Sequence, residues 1–121
     1  MKSMVLAGLN RIEIADRPIP ELKNPDDLLI RMRSVGVCGS DIHYYSTGNI
    51  GSQVVQFPFT LGHEGAGVIE KTGNAVKTLK PGGRLNADRM QTHNFSLDDA
   101  DKAFELVAGY REGVMKAMIH I

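Results

Sequence analysis

The sequence predicts a single mainly β domain, a small barrel with short helices, and three observations lead to this fold class. Several segments alternate apolar and polar residues with the period of two that half-buried strands show. Thirteen glycines suit the tight corners and bulges of a small barrel. The length of 121 residues fits one domain with one core.

Most of the predicted strands lie in the first third of the chain. In "RIEIAD" and "DDLLIRMRSV" apolar residues stand at every second position, and three prolines separate the two segments. Further along, "GAGVIEKTG" reads as a strand flanked by glycines, and the last residues read as a closing strand. The positions that carry these predictions are Met4–Ala7, Ile12, Ile14, Leu28, Ile30, Met32, Val68, Ile69 and 114–120.

Two short helices are predicted, over residues 40–47 and 97–108. The first has Ser40 or Asp41 available to begin it and Gly48 to end it. The second shows an apolar stripe at helical spacing, a start similar to a capping box, and a glycine after its last turn. The stripe is Leu97, Ala100, Phe104 and Val107, the start is Ser96 with Asp99, and the glycine is Gly109.

Composition excludes several functional classes. Fourteen basic residues balance fourteen acidic ones, so there is no basic surplus to drive nucleic-acid binding. An apolar content of 42% is typical of globular proteins, and no apolar run approaches the roughly 20 residues of a membrane span. A single cysteine excludes an internal disulfide and a multi-cysteine metal cluster. We expect a cytoplasmic protein without a signal peptide, and without nucleic-acid or membrane partners.

Residues 80–90, "KPGGRLNADRM", interrupt the pattern of strands. Two adjacent glycines follow a proline, and the apolar alternation weakens. Composition alone favours an ordinary surface turn here.

Cys38, His63 and Glu64 are the best zinc ligands that the chain offers. A thiolate, an imidazole and a carboxylate suit Zn²⁺, and three protein ligands leave a fourth position for water or substrate. Glycines surround all three residues and allow the backbone to bend sharply at a site. A lone cysteine, however, is usually a small buried apolar residue, and a lone histidine is usually structural.

The short helix after Cys38 carries three polar side chains on one face. Ser40, His43 and Tyr44 are spaced i, i+3 and i+4, which places a hydroxyl beside the candidate metal and an imidazole further out. A proton relay needs this arrangement. The same face also fits an ordinary amphipathic helix that packs its tyrosine on the barrel. The residues alone leave the metal site and the structural interpretation equally open.

Two other functions have little support in the sequence. A dinucleotide fingerprint needs G-x-G-x-x-G between a strand and a helix, but in "GAGVIE" the third glycine is replaced by Glu70 and a strand follows. No other segment supplies such a turn, so no cofactor-binding residues are predicted. Cys38 with His63 makes a poor thiol protease, because no third residue stands out to orient the histidine.

Two motifs make a family resemblance specific. "GVCGSDIHYY", followed by "PFTLGHEGAGVIEKTGNAV", resembles the zinc-dependent medium-chain alcohol dehydrogenases, and within them the sorbitol (polyol) dehydrogenase branch. The zinc signature of that family is matched in full, at Gly62, His63, Glu64, Gly67, Gly73 and Val76. The resemblance implies a GroES-like fold, a partly open β-barrel that residues 114–120 complete.

The resemblance also implies a metal site. Cys38 and His63 would be zinc ligands, and Glu64 would be a third ligand or a near neighbour of the metal. Asp41 would orient His63, since a carboxylate beside a ligating imidazole fixes its tautomer.

Substrate and proton roles follow from the same resemblance. Ser40 would hydrogen-bond the substrate hydroxyl, His43 would pass its proton towards solvent, and Tyr44 would line the polyol pocket. Zinc would act as a Lewis acid that lowers the pKa of the alcohol, and NAD would accept the hydride in the full-length family.

The resemblance covers two separate parts of a family member. Residues 1–82 resemble the N-terminal half of the catalytic domain, and residues from about 83 to 121 resemble the extreme C-terminus that returns to it. The coenzyme-binding domain between them is absent, and a deletion joined near Gly82 and Gly83 is the best explanation. We therefore expect residues 1–121 to form a single GroES-like catalytic domain of a polyol dehydrogenase, inactive alone.

A second hypothesis belongs to a different functional class. A GroES-like module without its coenzyme domain would expose apolar surface, and large exposed patches favour association. The chain would then be a non-catalytic module that self-associates or binds a protein partner.

Overall fold

The computed structural model describes residues 1–85, 92–111, 114 and 116–121, and the side chain of residue 85 lies outside this description. In chain order the strands are β1 (Lys2–Gly8), β2 (Arg11–Asp16), β3 (Leu28–Val37), β4 (Asn49–Ile50), β5 (Gln53–Val54), β6 (Phe59–Thr60), β7 (Glu64–Thr72), β8 (Arg84–Leu85), β9 (His93–Ser96) and β10 (Ala117–His120). The helices are α1 (Gly39–Thr47) and α2 (Ala100–Ala108), and a 3₁₀ turn, Leu97–Asp99, precedes α2. The prediction of a mainly β chain with short helices is confirmed.

The first two strands of the chain form a three-stranded sheet together with β6. Its order is β2-β1-β6, with β1 antiparallel to both neighbours. The central strand buries three consecutive residues, Met4, Val5 and Leu6, at 7%, 2% and 0% exposure. Consecutive burial is expected where both faces of a strand are covered, which explains why the alternation is weak in this segment.

A five-stranded sheet carries the site. Its order is β8-β7-β3-β10-β9. The long strand β3 pairs antiparallel with β7 on one side and with β10 on the other, and β9 runs parallel to β10. The last described strand is therefore an interior strand of the sheet, and its residues Ala117, Met118 and Ile119 are at most 1% exposed.

Both predicted helices are present, with small differences at their starts. Helix α1 begins one residue early, because Cys38 serves as its N-cap, and it ends where Gly48 takes a left-handed conformation with φ of 74°. The predicted helix 97–108 begins as the 3₁₀ turn and becomes α-helical only at Ala100. The Ser96 hydroxyl donates to the Asp99 carboxylate at 2.7 Å, instead of capping a backbone N–H.

The core lies between the sheets and the two helices. Phe104 of α2 is fully buried, and its ring centroid lies 5.3 Å from that of Tyr45 in α1. Burial raises the pKa of the Tyr45 phenol, with smaller contributions from the charges of Glu105 and Asp101. The packing of the two buried rings therefore holds α1 on the core.

Three further predictions concern the form of the barrel, the closing strand and residues 80–90. The described strands form three separate sheets and do not close into a full barrel, in keeping with a partly open form. The closing strand is shorter than the predicted 114–120, since it begins at Ala117. At 80–85 the chain makes a turn in which Gly83 N donates to Lys80 O at 3.0 Å, while 86–90 lie outside the described residues. Among the helices that the structure describes, none is long and apolar enough to cross a membrane.

Candidate metal centre

Cys38 stands at the junction of β3 and α1. Its backbone N–H donates to Oδ2 of Asp41 at 3.0 Å, and its carbonyl accepts from Ile42 N at 3.2 Å. The first bond satisfies an N–H that a helix start leaves free, and the second is the first hydrogen bond of the helix, so the thiol is positioned by the helix cap. The side chain of Cys38 is partly exposed.

His63 is placed by a left-handed glycine on the opposite segment. Gly62 has φ of 94°, and a Cβ there would lie 2.5 Å from Val35 Cγ1, so only glycine fits. The Gly62 N–H donates to Oδ1 of Asp41 at 3.2 Å. The sharp turn thus presents His63 to the start of α1, just before β7 begins.

Asp41 ties these two segments together. It is 1% exposed, and its carboxylate accepts backbone N–H groups from both Cys38 and Gly62. The same carboxylate lies 3.6 Å from Nδ1 of His63, whose side chain is 61% exposed. A carboxylate at Nδ1 favours the tautomer in which Nε2 carries the free lone pair, as a metal ligand requires.

The donor atoms match the dimensions of a zinc site. Sγ of Cys38 lies 3.5 Å from Nε2 of His63. Sulfur and nitrogen bound to one tetrahedral zinc, at about 2.3 Å and 2.0 Å, stand roughly 3.5 Å apart. Single ligand atoms of Cys38, Asp41 and His63 all lie within 4.8 Å of one another. The donor set of this chain therefore fits zinc.

Ser40 lies at the edge of this donor set. Its Oγ is 2.8 Å from Sγ of Cys38 and 3.4 Å from Nε2 of His63. A hydroxyl at this position is close enough to exchange a proton with a molecule bound between the two donors.

Two predicted residues of α1 make their described contacts outside the donor set. His43 is exposed, and its carbonyl accepts from Thr47 Oγ1 at 2.8 Å. The Tyr44 hydroxyl donates to Oε1 of Gln53 at 3.3 Å, and its ring packs on Phe59 with centroids 5.3 Å apart. The relay and pocket roles of His43 and Tyr44 stay predictions.

Glu64 follows His63 directly, but its carboxylate is engaged elsewhere. Its Oε2 accepts from Nζ of Lys116, next to β10, and it is not in the donor group of Cys38, Asp41 and His63. Sequence reasoning missed Lys116. No local pattern could have found it, because the two residues are 52 positions apart and meet only through strand pairing.

Comparison with known proteins identifies the family of this chain. Residues 24–121 match the family model described as the alcohol dehydrogenase GroES-like domain. D-xylulose reductase A of Aspergillus niger is 51% identical over 80 residues, which are 66% of this chain and 22% of that protein.

Solved structures show the same likeness. Galactitol-1-phosphate dehydrogenase from Escherichia coli is 34% identical with a TM-score of 0.61, over 69% of this chain and 23% of that one. The zinc-dependent alcohol dehydrogenase 2 from Streptococcus pneumoniae is 26% identical with a TM-score of 0.59. This match covers 69% of this chain and 23% of that one. The chain thus spans less than a quarter of these relatives. Together, the fold and the family match over most of its length show that the chain belongs to the alcohol dehydrogenase GroES-like domain family.

Proposed function

We propose that this chain is the zinc-binding part of the catalytic domain of an NAD-linked polyol dehydrogenase, and that it is inactive alone. The separation of 3.5 Å between Sγ of Cys38 and Nε2 of His63 is the observation that carries the proposal. The buried Asp41, which holds both segments, supports it further, because a prearranged donor pair needs little rearrangement to bind a metal.

Cys38 and His63 would hold the zinc, with Asp41 orienting the imidazole. Bound zinc supplies Lewis acidity, which lowers the pKa of an alcohol so that hydride can leave its carbon. Ser40 would take the hydroxyl proton, since its Oγ lies within 3.4 Å of both donor atoms. His43, exposed one helical turn along α1, would pass that proton to solvent.

A polyol is the substrate class that the relatives support. D-xylulose reductase and galactitol-1-phosphate dehydrogenase are named for sugar-derived ketose and polyol substrates. In this chain the hydroxyl of Tyr44 and the amide of Gln53 form a polar pair beside α1. Such groups can hydrogen-bond the additional hydroxyls that distinguish a polyol from a simple alcohol.

The proposed domain arrangement joins two parts of that catalytic domain. Residues 1–82 would be its N-terminal half and residues from about 83 its C-terminal return segment. The pairing of β10 with β3, at Ala117–Val37 and Ile119–Val35, supports this, because the return segment completes the sheet beside the metal site.

Removing one metal ligand tests the proposal. We expect the purified chain to carry up to one zinc ion per molecule in native mass spectrometry, and His63→Asn to lose it, because one thiolate alone binds zinc weakly. His120→Asn is the matched control, since His120 of β10 pairs with Asn94 of β9 at 2.6 Å and is not in the donor group. Unchanged zinc content in His63→Asn would refute the site. Self-association of a chain that binds no zinc would favour the non-catalytic module.

The chain alone should not oxidise polyols. Its sequence lacks a G-x-G-x-x-G turn between a strand and a helix, so the hydride acceptor would have no site near the substrate carbon. We expect no NADH formation from sorbitol or xylitol and no saturable NAD binding in calorimetry. A single NAD site with micromolar affinity would contradict this prediction.

A further inference from the structure

The donor pair of Cys38 and His63 is open to solvent. The side chain of His63 is 61% exposed, and Cys38 is partly exposed. Their neighbours Gly39 and Gly62 are both exposed, and a Cβ placed on Gly39 would meet no atom within 4 Å. Backbone without side chains therefore flanks both donors, so a second molecule can approach them closely.

These two donors fill only half of the coordination shell of zinc. Structural zinc sites have four protein ligands, and a site with fewer is completed by water or another molecule. Of the described histidine, cysteine and acidic residues, only Asp41 joins the pair as a candidate ligand, within 4.8 Å. Asp41 is buried, and its two carboxylate oxygens already accept the N–H groups of Cys38 and Gly62. Zinc bound by the pair therefore retains two open positions.

A second copy of this chain carries the donors that these two positions require. Cys38 and His63 of two copies together make a Cys₂His₂ set, which is an ordinary ligand set of structural zinc. The 3.5 Å between Sγ and Nε2 matches one edge of the tetrahedron, and a two-fold axis through the zinc would place the second pair on the opposite edge. Each thiol releases its proton to solvent on binding, so the two thiolates balance the charge of one zinc ion.

We propose that two copies of this chain share one zinc ion, through Cys38 and His63 of each copy. This inference rests on the proposed function, because it assumes that the pair binds zinc. A complete set of four ligands holds zinc tightly enough to offset the cost of bringing two chains together. The second copy occupies the positions that water or substrate would need, so the dimer is closed to an alcohol.

The test measures molar mass and zinc content together, by light scattering and native mass spectrometry, after a chelator has removed all metal from the purified chain. We expect a monomer without zinc, and a dimer when one zinc ion is added per two chains. Excess zinc should return the chain to monomers, because each donor pair then binds an ion of its own. Cys38→Ser should stay monomeric at every zinc concentration, whereas His120→Asn, which keeps both donors, should behave like the parent chain.

A bulky side chain beside the donors tests whether the second copy approaches at this place. Gly39→Tyr fills the open space at the start of α1 and leaves Cys38 and His63 unchanged. We expect it to weaken the zinc-dependent dimer about tenfold or more, because the added ring obstructs the partner. Ser46→Tyr adds the same side chain at an exposed position near the other end of α1, and it should dimerise like the parent chain. Equal dimerisation of the two variants would contradict an interface at the donor pair.

The possible outcomes separate this inference from the proposed function. A monomer that binds one zinc ion, and loses it in Cys38→Ser, overturns the shared zinc site and leaves the proposed function intact. A dimer that forms without zinc, or persists in Cys38→Ser, also overturns the shared site, because apolar contacts would then hold the two chains together. A chain that binds no zinc overturns the proposed function, and this inference with it.

Discussion

Replacing Phe104 with alanine is expected to lower the free energy of unfolding by about 3–5 kcal/mol, the usual cost of removing a buried aromatic ring. Phe104 is fully buried in the core and packs against Tyr45, so its loss opens a cavity between the two helices. The free energy of unfolding of a small domain is only roughly 5–15 kcal/mol, so the variant should be close to unfolding at room temperature. Urea denaturation followed by circular dichroism measures the effect.

Tyr110→Ala is the matched control for Phe104→Ala. Tyr110 is also an aromatic residue near the end of α2, but it is 85% exposed. We expect its replacement to change the stability by less than about 0.5 kcal/mol. Equal effects of the two substitutions would mean that α2 does not pack on the core as described.

Replacing Asp41 with alanine should damage both the fold and the metal site. The substitution leaves the N–H groups of Cys38 and Gly62 without their shared carboxylate, and bonds to a charged acceptor contribute about 1.5–3 kcal/mol each. We expect a loss of about 3 kcal/mol in stability. Zinc affinity should also fall 10–100-fold, because His63 loses the group that orients it. Denaturation and chelator competition measure the two effects.

Asp27→Ala is the control for Asp41→Ala. Asp27 also accepts two backbone N–H groups, from Lys23 and Asn24 at 2.8 Å each, and these bonds lower its pKa, with that from Asn24 the larger cause. It is partly exposed and directly precedes β3, at the end of that strand away from Cys38, so its loss should leave zinc affinity unchanged. An Asp41→Ala variant with parental zinc affinity would contradict the orienting role of Asp41.

The strands with strong alternation could be predicted from the sequence. In the middle of β3 the alternation reflects two faces, since Ile30 and Met32 are partly buried while Arg31 and Arg33 are exposed. In β2 the alternation predicted the strand without a buried face, since Ile12 is partly buried and Ile14 is exposed. The strands β4, β5, β6 and β8 have two residues each, too short for any period, and they were not predicted. Strand β9 was missed because Ser96 and the residues after it read as the start of a helix.

The placement of β10 shows what local patterns cannot reveal. The apolar run at the end of the chain predicts a strand, but not its neighbours. Its interior position between β3 and β9 results from pairings with residues more than 20 positions away, which depend on the whole fold. For the same reason the contact of Lys116 with Glu64 had no signal in the sequence.

The residues of the candidate site could be selected from the sequence, although their roles stay predictions. Cys38, His63, Ser40 and Asp41 lie within motifs that can be read directly, and the structure brings their polar atoms together. The ligand role of Glu64 stays a prediction, because sequence adjacency to His63 does not determine where its carboxylate points.

The absorption spectrum of bound Co²⁺ tests the central claim, that Cys38 and His63 hold a metal together, most directly. A thiolate bound to Co²⁺ gives a charge-transfer band in the near ultraviolet, and tetrahedral coordination gives strong visible bands. We predict both for the parent chain and for Ser40→Ala, and loss of the ultraviolet band in Cys38→Ser. Co²⁺ bound by the parent chain without the thiolate band, or with a band that persists in Cys38→Ser, would contradict the claim.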